Sequence, residues 1–217
     1  MITSHPETEV LLEYSSGSLP LAPSIAVTTH LQFCSSCTAR ADALGDIGGN
    51  LLESQESVDV SDSLLDRVLS KLDEPESQTY RKEKVCSDKI GSQLPPYVRG
   101  LLPDSLDWSS LSSSLKVAPI SVGETRYELA LHRISAGGKV PKHDHNGQEI
   151  TVVLKGSFSD EGGVYQAGDF LVKDPGESHR PIAAQNDECI CLSVSEGPIK
   201  LKGLKRVFNP FLSFSPS

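Results

Sequence analysis

Apolar residues in the first third of the chain recur at the spacing of helix faces. This spacing predicts helices over residues 6–14 and 19–29, and a third in the Ala-rich stretch that reaches Leu51. A fourth helix is predicted over residues 61–72, where acidic residues come early and a lysine comes late, as the helix dipole favours. Its continuous apolar stripe consists of Leu64, Leu65, Val68, Leu69 and Leu72.

The pattern changes to strands in the second half of the chain. Alternating or β-branched apolar runs at residues 126–134, 150–154, 169–172 and 190–194 predict strands, separated by glycine-containing turns. Short strands at this spacing are typical of an antiparallel sandwich or barrel. We therefore expect two domains, an all-α bundle over residues 1–72 and an all-β barrel of the antiparallel jelly-roll type over residues 97–200. Residues 73–96, which are rich in Pro, Ser, Glu and Lys, are expected to form a linker between them, and residues 201–217 a C-terminal tail.

The apolar stripe of the fourth predicted helix needs a cover. Polar sequence flanks this helix on both sides, so the stripe either packs on the earlier helices as ordinary core or binds a partner protein. The third predicted helix carries a second stripe, of mostly small residues. The candidate partner-binding residues of the two stripes are Leu44, Ile47, Leu51, Leu64, Leu65, Val68, Leu69 and Leu72.

The negative charge of the chain is confined to its first part. Residues 1–79 carry 13 acidic and three basic side chains, whereas the other 138 residues carry 16 and 17. An acidic module repels phosphate backbones, so we expect no direct nucleic-acid binding; its charge suits a basic protein partner or simply a soluble surface.

With no leader-like segment, no apolar run of about 18 residues and an odd number of cysteines, we expect a cytoplasmic protein without a membrane span.

Three soft metal ligands lie within eight residues near the end of the second predicted helix. His30, Cys34 and Cys37 are spaced so that they would share one face of a helix. Two thiols and an imidazole suit tetrahedral Zn²⁺ rather than Mg²⁺ or Ca²⁺. The alternative is that these residues are ordinary core, since buried cysteines often behave as small hydrophobes.

A second ligand cluster belongs to the β module. His143 and His145 are two residues apart and can point to the same side of a strand, and Glu149 follows at an even spacing. His179, from a later segment, can complete a shell of three imidazoles and one carboxylate. Such a shell accepts a divalent metal, Zn, Fe, Mn, Ni or Cu, with little discrimination.

The residues around this cluster resemble the two motifs of the cupin family. The first motif is matched in every element by Gly137, His143, His145, Glu149 and Gly156. The second is matched by Gly168, Gly176 and His179, but Asp174 and Ala183 stand where the family usually has Pro and Asn. The resemblance covers about residues 105–197 and implies that His143, His145, Glu149 and His179 are metal ligands.

The N-terminal cluster resembles the zinc-binding anti-sigma domain, in which a histidine near the N-terminus is the fourth ligand. His5 matches that position; of the other unassigned candidates, Cys86 lies in the predicted linker and His132 on a predicted strand. An acidic zinc domain, a linker and a cupin module together resemble the ChrR type of anti-sigma factor. The resemblance implies a non-enzymatic protein that binds an extracytoplasmic-function, RpoE-like sigma factor and releases it under oxidative stress such as singlet oxygen.

The alternative function is a metal-dependent cupin enzyme, dioxygenase-like, with the helical module in a regulatory role. Besides Arg133 and Arg180, the sequence offers no distinct general base or substrate-binding cluster, which weighs against it. A homodimer through the cupin module is compatible with either function. Cys86 is expected to be an exposed or incidental thiol, while Cys189 and Cys191 share one face of a strand and are expected in the core rather than in redox sensing.

Overall fold

The computed structural model describes residues 1–72 and 86–197, together with the backbone of a short strand at 199–201. Residues 73–85 of the predicted linker and residues 202–217 of the predicted tail lie outside the described residues.

The four helices predicted for the N-terminal part are present. They are α1 (Thr8–Ser15), α2 (Leu21–Leu31), α3 (Ser35–Glu53) and α4 (Ser63–Leu72). α3 continues through Gly48 and Gly49, although glycine is unfavourable inside a helix. Neither glycine is crowded by other parts of the chain, so the helix tolerates them on its exposed side.

Within its described residues, the β part contains eleven short strands that pair antiparallel. They are β1 (Ser109–Ser110), β2 (Leu115–Pro119), β3 (Glu128–Ile134), β4 (His143–His145), β5 (Glu149–Lys155), β6 (Ser157–Asp160), β7 (Gly163–Gln166), β8 (Phe170–Lys173), β9 (Ile182–Ala183), β10 (Cys189–Ser195) and β11 (Ile199–Leu201). A six-stranded sheet has the order β1-β2-β3-β10-β5-β8, a three-stranded sheet has the order β7-β6-β9, and β11 pairs with β4. The predicted antiparallel fold is confirmed, although its strands form three sheets rather than one closed barrel.

Strand β10 is buried on both of its faces. Ile190, Leu192 and Val194 belong to the core cluster that also contains helix residues, whereas Cys189 and Cys191 belong to a second cluster inside the β part. The Sγ atoms of these two cysteines lie 3.6 Å apart, and both side chains are buried, as predicted for core residues. The six-stranded sheet therefore lies between the helices and the interior of the β part.

The helices and the sheet share their largest hydrophobic core. Leu11 from α1 and Val27 from α2 are fully buried in one cluster with Leu131, Leu192 and Phe170 from the sheet. The helical part is thus packed on the β part rather than separated from it along the described residues.

The second half of the predicted linker contributes to this core as well. A short 3₁₀ helix (Gly91–Gln93) and α5 (Pro96–Leu101) follow residue 86, and the side chains that they bury belong to the shared cluster. The sequence interpretation missed this segment because Pro95 and Pro96 interrupt it. Its signal is a spacing of four residues, at Ile90, Leu94, Val98 and Leu102.

We expect Phe170→Ala to destabilise the whole protein by about 3–5 kcal/mol, the usual cost of removing a buried aromatic ring. Phe170 is almost fully buried and joins α2 to the sheet through an edge contact with the ring of His30. Urea unfolding followed by circular dichroism measures the change. Val164→Ala on β7 is the control, because Val164 is 72% exposed and its truncation should change the free energy of unfolding by less than about 0.5 kcal/mol. Equal effects of the two substitutions would contradict the shared core.

Candidate metal centres

The structure brings the four residues of the first cluster together. The candidate ligand atoms of His5, His30, Cys34 and Cys37 all lie within 4.8 Å of one another. His5 Nδ1 is 3.5 Å from the Sγ of Cys34 and 3.4 Å from the Sγ of Cys37. His30, Cys34 and Cys37 are buried, whereas His5 is exposed, so the cluster lies at the edge of the protein.

The prediction that His30, Cys34 and Cys37 share one helix face is wrong. α2 ends at Leu31 and α3 begins at Ser35. Cys34 lies in the break with an extended backbone, at φ −120° and ψ 96°, and acts as the N-cap residue of α3. The chain turns between the helices, so His30 in the last turn of α2 meets Cys37 in the first turn of α3.

The side chain of His30 has the geometry of a metal ligand. Its Nδ1 lies 2.6 Å from the carbonyl oxygen of Gly168, to which it donates a hydrogen bond, while its buried Nε2 has no hydrogen-bond partner among the described residues. Burial lowers the pKa of His30 and so favours the neutral imidazole that a metal requires. Burial, together with the neighbouring Cys34, raises the pKa of Cys37 to about 11, so in the absence of metal this thiol keeps its proton.

Two thiols and two imidazoles within bonding reach of one point form a donor set typical of structural Zn²⁺. The unpartnered Nε2 of His30 fits this use, because a buried nitrogen without a partner is costly unless it binds something.

The three imidazoles of the second cluster also converge. His143 Nε2 lies 3.0 Å from His179 Nε2, and His145 Nε2 lies 3.4 Å from the same atom. His143 and His145 belong to β4, and a backbone bridge pairs His143 with His179. All three side chains are buried, and burial, followed by the neighbouring His179, lowers the pKa of His143 to about 4. The ring of His143 is therefore neutral at physiological pH and available to a metal.

Glu149 supplies the carboxylate of this cluster. Its Oε2 lies 3.2 Å from His145 Nε2 and 3.9 Å from His179 Nε2, and its Oε1 accepts a hydrogen bond of 2.8 Å from Ser193 Oγ. Burial by itself raises the pKa of Glu149, but the surrounding imidazoles outweigh it and lower the pKa to about 2. A carboxylate beside three imidazoles suits a divalent cation.

Several residues that sequence reasoning missed hold these ligands in place. The carbonyl oxygen of Pro141 accepts a hydrogen bond from His143 Nδ1 at 2.8 Å, and Asp160 Oδ2 lies 3.2 Å from His179 Nδ1. Such partners orient a metal-binding imidazole and select its tautomer. Ser193 could have been found from the alternation of β10, since it shares a face with Cys191, whereas Asp160 carries no comparable signal.

The apolar residues predicted to bind a partner are largely exposed. On α3, Leu44 is half-buried against the shared core, but Ile47 and Leu51 are 57% and 61% exposed. α4 has no buried residue: Leu64 is half-buried, and Leu65, Val68, Leu69 and Leu72 are exposed. The stripe of α4 is therefore not ordinary core. We call Ile47, Leu51, Leu65, Val68, Leu69 and Leu72 the exposed apolar stripe.

Two further expectations can be compared with the structure. Cys86 is half-buried and packs against the shared core, so it is not the exposed thiol that one reading of the sequence suggested. In the parts of the chain that the structure describes, every helix is too short or too polar to cross a bilayer.

Comparison with known proteins connects these features. Residues 100–200 match a family model described as the ChrR cupin-like domain. The anti-sigma-E factor ChrR of Cereibacter sphaeroides is 33% identical over 211 residues, which span 97% of this chain and 98% of the relative. The crystal structure of Rhodobacter sphaeroides SigE in complex with the anti-sigma ChrR contains a chain that matches with a TM-score of 0.73 and 32% identity, covering 90% of this chain and 99% of that chain.

We expect the purified protein to bind two metal ions per chain, one at each cluster. Cys34→Ala should remove the first ion and leave the second, and His145→Ala should do the reverse, because the clusters share no ligand. Elemental analysis of the dialysed variants measures this. The matched control is Cys86→Ala, which removes a thiol outside both clusters and should retain both ions. Loss of both ions from each ligand variant would contradict independent sites.

We also expect the metal-free protein to lose stability as the pH falls from about 6.5 to about 4. His143 takes up a proton more readily in the unfolded chain than in the folded one, so its contribution is present above its ordinary pKa and is lost as the pH falls through about 4. The loss from His143 is at most about 3 kcal/mol. Urea unfolding at several pH values, with and without His143→Gln, measures it, and His5→Gln at an exposed position is the control. An unchanged slope in His143→Gln would contradict the assignment.

Proposed function

The chain belongs to the ChrR family of anti-sigma factors, and from this premise we propose that it binds and sequesters an extracytoplasmic-function sigma factor through its helical part. The observation that carries the proposal is the match along nearly the whole chain to an anti-sigma factor whose crystal structure contains its sigma factor. An anti-sigma factor acts by occupying the surface that its partner needs for RNA polymerase. The same partner would keep this chain in the cytoplasm.

The exposed apolar stripe supports this role. Large apolar side chains that lie together on a protein surface usually mark a site where another protein binds. The stripe of α4 repeats at helical spacing, which is the arrangement of an amphipathic helix that lies in a groove of its partner. Asp62 and Asp66 add negative charge that can complement a protein that itself binds nucleic acid and polymerase.

We propose Zn²⁺ as the metal of the first cluster, in a structural role. Its four ligands come from three pieces of chain: the segment before α1, the end of α2 and the start of α3. Because α3 carries part of the exposed apolar stripe, a metal at this point holds the stripe relative to α2. Structural zinc contributes on the order of 10 kcal/mol to the folding of small modules, so its loss should abolish partner binding rather than reduce it slightly.

We propose that the cupin part holds a second divalent metal, Zn, Fe, Mn, Ni or Cu, and senses or transmits an oxidative signal such as singlet oxygen. A bound metal would act there as a Lewis acid or as a redox centre, according to its identity. His143, His145, Glu149 and His179 would bind it, while Ser193 and Asp160 orient Glu149 and His179. The sheet between this cluster and the helices supplies a packed route from one part to the other.

The dioxygenase-like alternative rests on the same donor set, which catalytic and non-catalytic cupins share. The similarity to an anti-sigma factor over nearly the full length supports a non-enzymatic, regulatory role instead.

The test of the proposed function is the affinity for the cognate extracytoplasmic-function sigma factor, measured by titration calorimetry. Val68→Asp and Leu69→Asp should each weaken binding by about 2 kcal/mol or more, roughly 30-fold, because each would bury a charge at the centre of the contact. Both positions are exposed in the free protein, so neither substitution should disturb the fold. Cys34→Ala should abolish binding by removing a ligand of the structural metal.

The matched controls make the same types of substitution at positions outside the stripe and outside the metal clusters. Val164→Asp puts the same charge at an exposed valine of β7, and Cys86→Ala removes a thiol that belongs to neither metal cluster. Both should bind the sigma factor as the wild type does. Wild-type affinity in both aspartate variants of α4 would show that the stripe is not the contact, and wild-type affinity in Cys34→Ala would remove the metal from the proposal.

A further inference from the structure

The turn that joins β7 to β8 contacts the segment that carries His5. Asp169 in this turn is fully buried. Its Oδ1 accepts hydrogen bonds from the backbone N–H groups of Thr3 at 2.7 Å and Ser4 at 2.9 Å, and its Oδ2 accepts one from the N–H of Gln166 at 2.7 Å. One carboxylate therefore closes its own turn and holds the chain just before His5.

Backbone groups of the same turn complete the attachment. The N–H of Phe170, the first residue of β8, donates to the carbonyl oxygen of Ser4 at 3.0 Å. The carbonyl oxygen of Gly168 accepts the hydrogen bond from His30 Nδ1 at 2.6 Å. Two of the four residues in the first cluster, His5 and His30, are thus positioned by the β part, whereas Cys34 and Cys37 are positioned by α3.

The packing at Gly168 shows how closely the two parts meet. Gly168 has a φ of +96°, and a Cβ there would lie 2.7 Å from Ile2 Cδ1 and 2.9 Å from Phe33 Cβ. Both the backbone conformation and the lack of space require glycine. The N-terminal segment, through Ile2, and the junction of α2 with α3, through Phe33, therefore both pack closely against the turn.

We propose that Asp169 is a positioning residue for the first metal centre, and that docking of the helical part on the residue 166–170 turn raises the metal affinity of this centre. The carboxylate touches no ligand atom and acts by fixing the backbone of Thr3 and Ser4, and through it the place of His5. By linkage, a metal at this centre stabilises the docking to the same extent as the docking raises the affinity for the metal. The inference rests on the metal centre proposed above and is independent of the sigma partner.

A merely structural carboxylate would behave differently. Its removal would lower the stability of the metal-free and metal-loaded proteins alike. Removal of a positioning carboxylate weakens the metal affinity of the first cluster and leaves the second cluster, whose ligands make none of these contacts, with its metal.

The experiment is a Co²⁺ titration of the full-length, metal-free protein against a competing chelator. Only the first cluster contains thiols, so the thiolate-to-cobalt absorption band reports on that cluster alone. The variants are Asp169→Asn, Asp169→Ala and Thr3→Pro. The last removes both donors of Thr3, its backbone N–H and its hydroxyl, and leaves the carboxylate in place. The control is Asp107→Ala, at an exposed aspartate before β1. Urea unfolding of each metal-free variant is measured alongside.

We expect Asp169→Ala to weaken Co²⁺ binding at the thiolate site by about 10- to 100-fold, the usual effect of losing an outer-shell partner. The Co²⁺ affinities of Asp169→Asn and Thr3→Pro should lie between those of Asp169→Ala and the wild type, and the affinity of Asp107→Ala should equal that of the wild type. The second cluster should keep its ion in every variant. Wild-type affinity in Asp169→Asn and Thr3→Pro would overturn the inference, even if Asp169→Ala does not fold. A loss of affinity fully accounted for by metal-free stability would overturn it too. Absence of the thiolate band in the wild type would instead overturn the metal centre itself.

Discussion

The burial of strand β10 on both faces is the constraint on which the rest of the structure depends. Ile190, Leu192 and Val194 face the helices, while Cys189, Cys191 and Ser193 face the interior of the β part. A polar side chain on either face of such a strand must find a partner, and Ser193 finds Glu149. The order of the layers, from helices to sheet to second metal cluster, follows from this one strand.

The two candidate metal clusters lie in different physical settings. The second is enclosed within the β part, and its imidazoles and carboxylate are buried together, so its charges act in a medium of low dielectric constant. The first lies where three pieces of chain meet and includes one exposed ligand. Loss of metal from the second cluster would act on the helices through the packed strands of the sheet. Loss of metal from the first cluster would instead release the segments that its ligands join.

Much of this arrangement could be predicted from the sequence because it depends on local spacing. The helices, the antiparallel strands and the shared side of His143 and His145 follow periodicities of about 3.6 or 2 residues, whereas the role of His179 is implied by the resemblance to the cupin motifs. The break between α2 and α3 could not be predicted in this way. It places His30 against the carbonyl oxygen of Gly168, a contact between residues 138 positions apart that local spacing does not report. Asp169 also escaped notice, because Thr3 and Ser4 lie more than 160 residues away and bind it through backbone N–H groups that have no sequence signature.

Helix α4 has ten residues and buries none of them. Isolated helices shorter than about 12 residues are marginal in water, since the cost of nucleation is not recovered by so few hydrogen bonds. Among the described residues, the helix therefore gains little stability from tertiary packing, and a partner that covers its stripe would supply most of it. Association at this helix is then coupled to a helix–coil transition, and part of the contact energy is spent on folding. This lowers the affinity for a given contact area and makes the complex easier to reverse.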